Sequence, residues 1–177
     1  FVTKQWVTGA ESKVWDMFYF KPGCTYTLTE LAAPDGYAYA ETIDFKISAD
    51  GTAIIVNGKQ QDTRILNMTD RKLELNVNKL DSVDGTLVSG ATLEIQDTNG
   101  NVVAGPWVTG TEQQLDISRL AAGNGYKKDV DTNPDALREY VLHESLAPES
   151  HKYALDVRFA IDRDGTIYYV RTGLNGK

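Results

Sequence analysis

A chain of 177 residues with 41% hydrophobic content has enough apolar material for one large core or two small ones, which argues against a disordered tail. Its net charge of -7 argues against nucleic-acid and anionic-membrane partners, which call for clustered Lys and Arg. No apolar run nears the roughly 20 residues that span a bilayer, no signal peptide opens the chain, and the single cysteine, Cys24, leaves no intramolecular disulfide to form.

In chain order, the first informative stretch is residues 26–37, YTLTELAAPDGY. Tyr, Thr and Leu favour a strand, and Pro34-Asp35-Gly36 ends it with turn chemistry. Under a period of two, Tyr26, Leu28 and Glu30 share one face, so a carboxylate closes an apolar row. Burying it costs free energy unless a neighbouring group uses it. Residues 64–70, RILNMTD, place Leu66, Met68 and Asp70 on one face in the same way. Residues 73–79, LELNVNK, alternate throughout, with Leu73, Leu75, Val77 and Lys79 on the predicted inward side. Glu144 closes the row Tyr140, Leu142, Glu144. A lysine, an aspartate and two glutamates thus end inward rows on different predicted strands.

The chain also repeats itself. WVTG occurs at 6–9 and at 107–110, and residues 26–56 align without a gap on 140–170 at an offset of 114. Thirteen of those 31 pairs are identical, Glu30 with Glu144 and Ala40 with Ala154 among them. Turns at ADGT, TNGN and DRDG separate short apolar runs, which predicts hairpin-linked strands. The reading is two tandem all-β domains, residues 1–71 and 72–177. The second carries an insertion at about 123–138, GNGYKKDVDTNPDALR, because the offset grows from 101 to 114 across it. Asn133-Pro134 is expected to cap a short helix there. The spacing of the two copies leads us to expect that the first lacks its N-terminal strand here and the second its C-terminal strand.

YTLTELAAPDGY and the weaker YVLHESLAPESHKY resemble the E-box of the CnaB-type, prealbumin-like domains of Gram-positive surface adhesins and pilins. VNKLDSVDGTLVSGATLEIQDTNGNVV resembles that family's opening strands, and ILNMTD its closing strand. The resemblance implies two Ig-like or prealbumin-like β-sandwiches. It also implies an internal isopeptide bond between a lysine and a closing-strand Asn or Asp, assisted by the E-box glutamate. Carried over residue by residue, it makes Glu30 and Glu144 the assisting glutamates, Asp70 the acceptor of the first domain and Lys79 the nucleophile of the second. The first domain's lysine and the second domain's acceptor have no matching position. Asn175 is the only late Asn, and the repeat places it in the preceding loop. Burial favours the neutral forms of amines and carboxylic acids, and a neutral amine is a nucleophile. Proximity in a folded core then replaces an external catalyst.

The function implied is a stalk or pilin-shaft module at the cell surface or in the cell wall, self-cross-linking in a single turnover and not an enzyme. Its expected partners are neighbouring domains or subunits of the same surface protein or pilus. The alternative is a ligand-binding adhesin domain that grips a host protein or glycan through the insertion. No cofactor and no metal is expected: His143 and His151 are too few and badly spaced, and DVDTNPD reads as a solvated acidic loop. Plainer readings stand beside these. The Lys79 stem could pack while its ammonium reaches water, each glutamate could accept loop N–H groups, and Asp70 could begin the interdomain turn. Trp6 and Trp107 read as core or sheet-face residues.

Overall fold

The computed structural model describes residues 4–15, 19–111 and 115–170. In chain order the strands are β1 (Thr25–Leu28), β2 (Tyr37–Ala38), β3 (Ile43–Ile47), β4 (Ile54–Val56), β5 (Lys59–Gln60), β6 (Arg71–Lys72), β7 (Thr92–Gln96), β8 (Val102–Val108), β9 (Arg138–Leu146), β10 (Val157–Ile161) and β11 (Ile167–Tyr169). A short 3₁₀ turn lies at Lys127–Asp129. The protein is all-β, and every ladder is antiparallel.

The chain forms two compact units, one of residues 1–29 with 41–68, the other of residues 30–40 with 69–177. A single division after residue 71 does not describe this arrangement, because 30–40 is fastened to the later part of the chain. Tyr37 and Ala38 pair with Lys72 and Arg71, Gly36 N–H donates to the Leu120 carbonyl at 2.7 Å, and Tyr39 N–H donates to that of Arg163 at 3.0 Å. Arg163 completes the attachment: its guanidinium donates to the Glu30 carbonyl at 2.7 Å and lies 4.1 Å from the Tyr39 ring centroid.

The first unit is one sheet in the order β1-β3-β4-β5. Its core is small, Phe45, Ile47 and Ile54, with Phe20, Tyr26, Leu28, Val56 and Leu66 packed against it. Tyr26 stacks on Phe45 at 5.6 Å and Phe20 meets Tyr26 edge-on at 5.0 Å, geometries that aromatic quadrupoles favour. The predicted ADGT turn joins β3 to β4. The Ser48 hydroxyl and the Thr52 N–H both serve the Asp50 carboxyl and lower its pKa to about 2.

The second unit is a five-stranded sheet in the order β11-β10-β9-β7-β8, beside the β2-β6 pair. Leu93, Ile95, Tyr140, Phe159 and Ile161 of the sheet share a core with Ala38, Leu73 and Leu120, and Leu75, Val77 and Ile117 pack against it. The Tyr140 hydroxyl accepts from Ala121 N–H at 2.7 Å and donates to the Ala121 carbonyl, and burial pushes its pKa up. Residues 73–79 form no ladder, yet their burial alternates residue by residue as the sequence predicts. Residues 66–70 show the same alternation, with Leu66, Met68 and Asp70 on the less exposed side.

The insertion departs from expectation. No helix follows Pro134; instead Asn133 Oδ1 accepts from Asp135 N–H at 3.2 Å, closing a turn. Too little chain separates Pro134 from β9 for a helix to wind. The base of the insertion is pinned by Gly123 N–H to the Ile161 carbonyl and Gly125 N–H to that of Ala136, while Tyr126, Lys127, Lys128 and Val130 are exposed or half-exposed. Trp6 departs as well. Trp107 is buried in β8 opposite Leu93, as expected, but Trp6 lies outside any strand and is 37% exposed, against 8% for Trp107. It rests edge-on against Trp15 at 5.2 Å.

Candidate functional site

Glu144 sits near the end of β9, in register with Leu93 of β7. Alternation along β9 turns Tyr140 and Glu144 toward the core, and Glu144 is 4% exposed, one of two buried charged residues among those described. Its two oxygens have different partners. Oε2 accepts a short hydrogen bond from the backbone N–H of Ala154. Oε1 lies 3.1 Å from Lys79 Nζ and has no hydrogen bond of good geometry. The Lys79 side chain is 14% exposed and that of Glu144 is 2% exposed, so most of the water that would screen the pair is absent.

The extended run 73–79 delivers the lysine. With Leu73, Leu75 and Val77 turned to the core, the next side chain of the same parity is Lys79, and its stem continues the apolar row. An isolated β-bridge between Leu80 and Leu87 ends the run, and Val88 N–H donates to the Lys79 carbonyl at 2.9 Å, so the residue is fixed at its backbone. Lys79 and Glu144, which the resemblance assigns to one site of the second domain, thus lie together.

Glu30 and Asp70 do not meet in this way. Both are half-buried, as their rows predict, but among the described residues no hydrogen bond joins them. Glu30 Oε2 accepts from Ala40 N–H at 2.8 Å. Shifted by the repeat offset, this is the bond that Glu144 makes with Ala154. Both glutamates therefore clamp the loop ten residues downstream, the plainer role weighed for them, and the remaining oxygen of Glu144 also faces a lysine. Asn175 lies outside the described residues.

The loop N–H groups of Ala40 and Ala154 and the clamping residue Arg163 were not singled out in the sequence. The repeat held the signal for the first two, since Ala40 and Ala154 are one of its identical pairs at an unchanged ten-residue distance from the glutamates. Nothing comparable marks Arg163.

The strands of the two units correspond through the same offset. β3 shifted by 114 coincides with β10, β1 falls within β9, and β4 overlaps β11. Residues 2–62 match the family model of the SpaA prealbumin-like fold domain. The match covers about a third of the chain and shows what that segment is similar to, a prealbumin-like domain. Comparison with curated proteins gives no match. Among the described residues, no helix is long and apolar enough to cross a membrane.

Proposed function

We propose that this chain is a stalk or pilin-shaft segment of a Gram-positive cell-wall adhesin, built of two consecutive CnaB-type domains and stiffened by isopeptide bonds. The observation that carries the reading is the lysine amine of Lys79 at 3.1 Å from the buried carboxylate of Glu144, whose other oxygen is tied to the backbone. In such a site the glutamate takes a proton from the ammonium, and the neutral amine attacks the side-chain carbonyl carbon of an Asp or Asn. A C–N bond forms, and the carboxyl oxygen departs as water or the amide nitrogen as ammonia. The glutamate returns the proton to the leaving group. In the first domain Glu30 has the assisting role and Asp70 that of acceptor. The reaction turns over once, so the protein is a self-cross-linking structural module and not an enzyme. The exposed tip of the insertion, Tyr126 to Val130, is the surface through which a host protein or glycan would be held.

Intact mass of the full-length polypeptide tests the proposal. Each bond from an Asp lowers the mass by about 18 Da and each from an Asn by about 17 Da. Glu144→Ala and Lys79→Arg should each restore the mass lost in the second domain, and Glu30→Ala that lost in the first. A mass equal to that of the sequence, or a loss that persists in both glutamate variants, overturns the reading.

A further inference from the structure

In an Asn-Gly pair the side-chain amide is open to attack by the next backbone nitrogen, because glycine has no side chain to shield it. Four such pairs occur, at 57–58, 99–100, 124–125 and 175–176, and the last lies outside the described residues. The attack needs a backbone N–H free to lose its proton and a side chain free to turn onto it. An N–H held by a carbonyl keeps its proton and its orientation. Gly100 N–H donates to the Asp97 carbonyl at 3.1 Å, in a turn where the N–H groups of Asn99 and Asn101 both bond the Asp97 carboxylate. Gly125 is buried and its N–H donates to the Ala136 carbonyl at 3.2 Å, while the Asn124 side chain accepts from Asn133 Nδ2 at 2.6 Å. Asn57-Gly58 differs from both. It is the two-residue loop between β4 and β5, closed by the Val56–Lys59 pair, and both of its residues are exposed. Among the described residues, neither the Gly58 N–H nor the Asn57 side chain has a hydrogen-bond partner. The hairpin itself demands this dipeptide: φ is +49° at Asn57 and +76° at Gly58, and Asn-Gly is the pair best suited to two positive φ values in succession.

We propose that Asn57 is a self-modification site, where the Gly58 nitrogen converts the asparagine through a cyclic imide into aspartate and isoaspartate. The Gly58 nitrogen, having lost its proton to hydroxide, attacks Asn57 Cγ. A C–N bond forms, the Cγ–Nδ2 bond breaks, and ammonia leaves with a proton taken from water. Water then opens the imide at either of its carbonyls. Opening at Cγ gives aspartate. Opening at the backbone carbonyl gives isoaspartate, whose main chain runs through Cβ and Cγ and is longer by one carbon. β5 ends its sheet, held by the Ile55–Gln60 and Val56–Lys59 pairs and by Gln61 N–H on the Ile54 carbonyl. A longer main chain in a two-residue loop disturbs that register, which the loop length sets. The net change of amide to acid adds about 1 Da. An Asp-derived cross-link accompanied by one such conversion therefore shows the same loss as an Asn-derived one, about 17 Da. The conversion needs no cross-link and does not rest on that reading.

Mass spectrometric peptide mapping of the intact protein, incubated at neutral and mildly alkaline pH and then digested, reads the three described pairs together. Asn57 should gain the extra mass at least about fivefold faster than Asn99 or Asn124, the factor that one amide hydrogen bond represents. The rate should rise with pH, because the attacking nitrogen must lose a proton. The peptide bearing position 57 should also become a substrate for an isoaspartyl methyltransferase. In guanidinium-unfolded protein the three pairs should react at similar rates, since the fold no longer ties up any of them. Asn57→Gly keeps a Gly-Gly hairpin loop and should abolish the gain at that position, leaving any mass loss from cross-linking unchanged. Asn99 or Asn124 reacting as fast as Asn57 in the folded protein, or the same ranking in the unfolded protein, overturns the proposal. That comparison uses unaltered protein, so it remains decisive even if Asn57→Gly perturbs the hairpin.

Discussion

At the scale of single residues, the Lys79–Glu144 pair is the most consequential feature of the molecule. A half-wet pair on a strand surface contributes little, but the Glu144 carboxylate is nearly dry, so the loss of its cation leaves a charge with one short backbone hydrogen bond and an unmatched second oxygen. In the uncross-linked protein, Lys79→Met should therefore lower the unfolding free energy by about 3 kcal/mol. Adding Glu144→Leu should recover most of that loss, since a buried ion pair exchanged for apolar side chains is close to neutral. Urea unfolding of the two variants decides it. If the double variant proves no more stable than the single one, the ion pair is not what the lysine contributes.

Among the elements, the turn after each of the rows ending in Glu30 and Glu144 shows how one geometry is met by different residues. Gly36 has φ +82° and Ser150, its repeat partner, φ +67°; in each case the next N–H returns to a proline carbonyl, Tyr37 to Pro34 and His151 to Pro148. Gly36 is required twice over, because a Cβ there would lie 3.0 Å from Ser118 Cα, a backbone atom that has no freedom to retreat. Gly36→Ala should cost about 2 kcal/mol. Ser150→Gly runs the other way: it relieves a left-handed backbone strained for serine and should stabilise by about 0.5–1 kcal/mol, less the extra chain entropy of glycine. Thermal melts of the two variants shifting in the same direction would contradict this reading of the turns.

For the whole molecule, the two units differ in how much apolar surface each buries. Among the described residues, the first unit's core cluster has three buried residues around one four-stranded sheet, while the second's has eleven spread over its sheet and the covering segments. Local opening free energies follow buried contact density. Native-state hydrogen exchange should thus show β1 and β3 amides opening at lower free energy than those of β7, β9 and β10. Equal protection in both sheets would mean that the units share one cooperative transition.

Much of this was legible in the sequence because strand periodicity is a property of the local backbone. Side chains alternate whatever lies opposite, so the rows ending in Glu30, Asp70, Lys79 and Glu144 were readable before any partner was known, and the turns at Asp50-Gly51 and Pro34-Gly36 follow from glycine's access to positive φ. The internal repeat went further and placed equivalent strands 114 residues apart. Burial and pairing are different, because they depend on what another part of the chain brings alongside. WVTG is the same at both places, yet Trp107 is buried and Trp6 is not, since among the described residues only Trp107 has a strand opposite. Only the tertiary structure could decide that residues 30–40 join the later unit through Arg163, Leu120 and β6, and that each glutamate reaches the loop N–H ten residues on. Those contacts are settled by where separate strands come to rest against one another, which no stretch of local sequence encodes by itself.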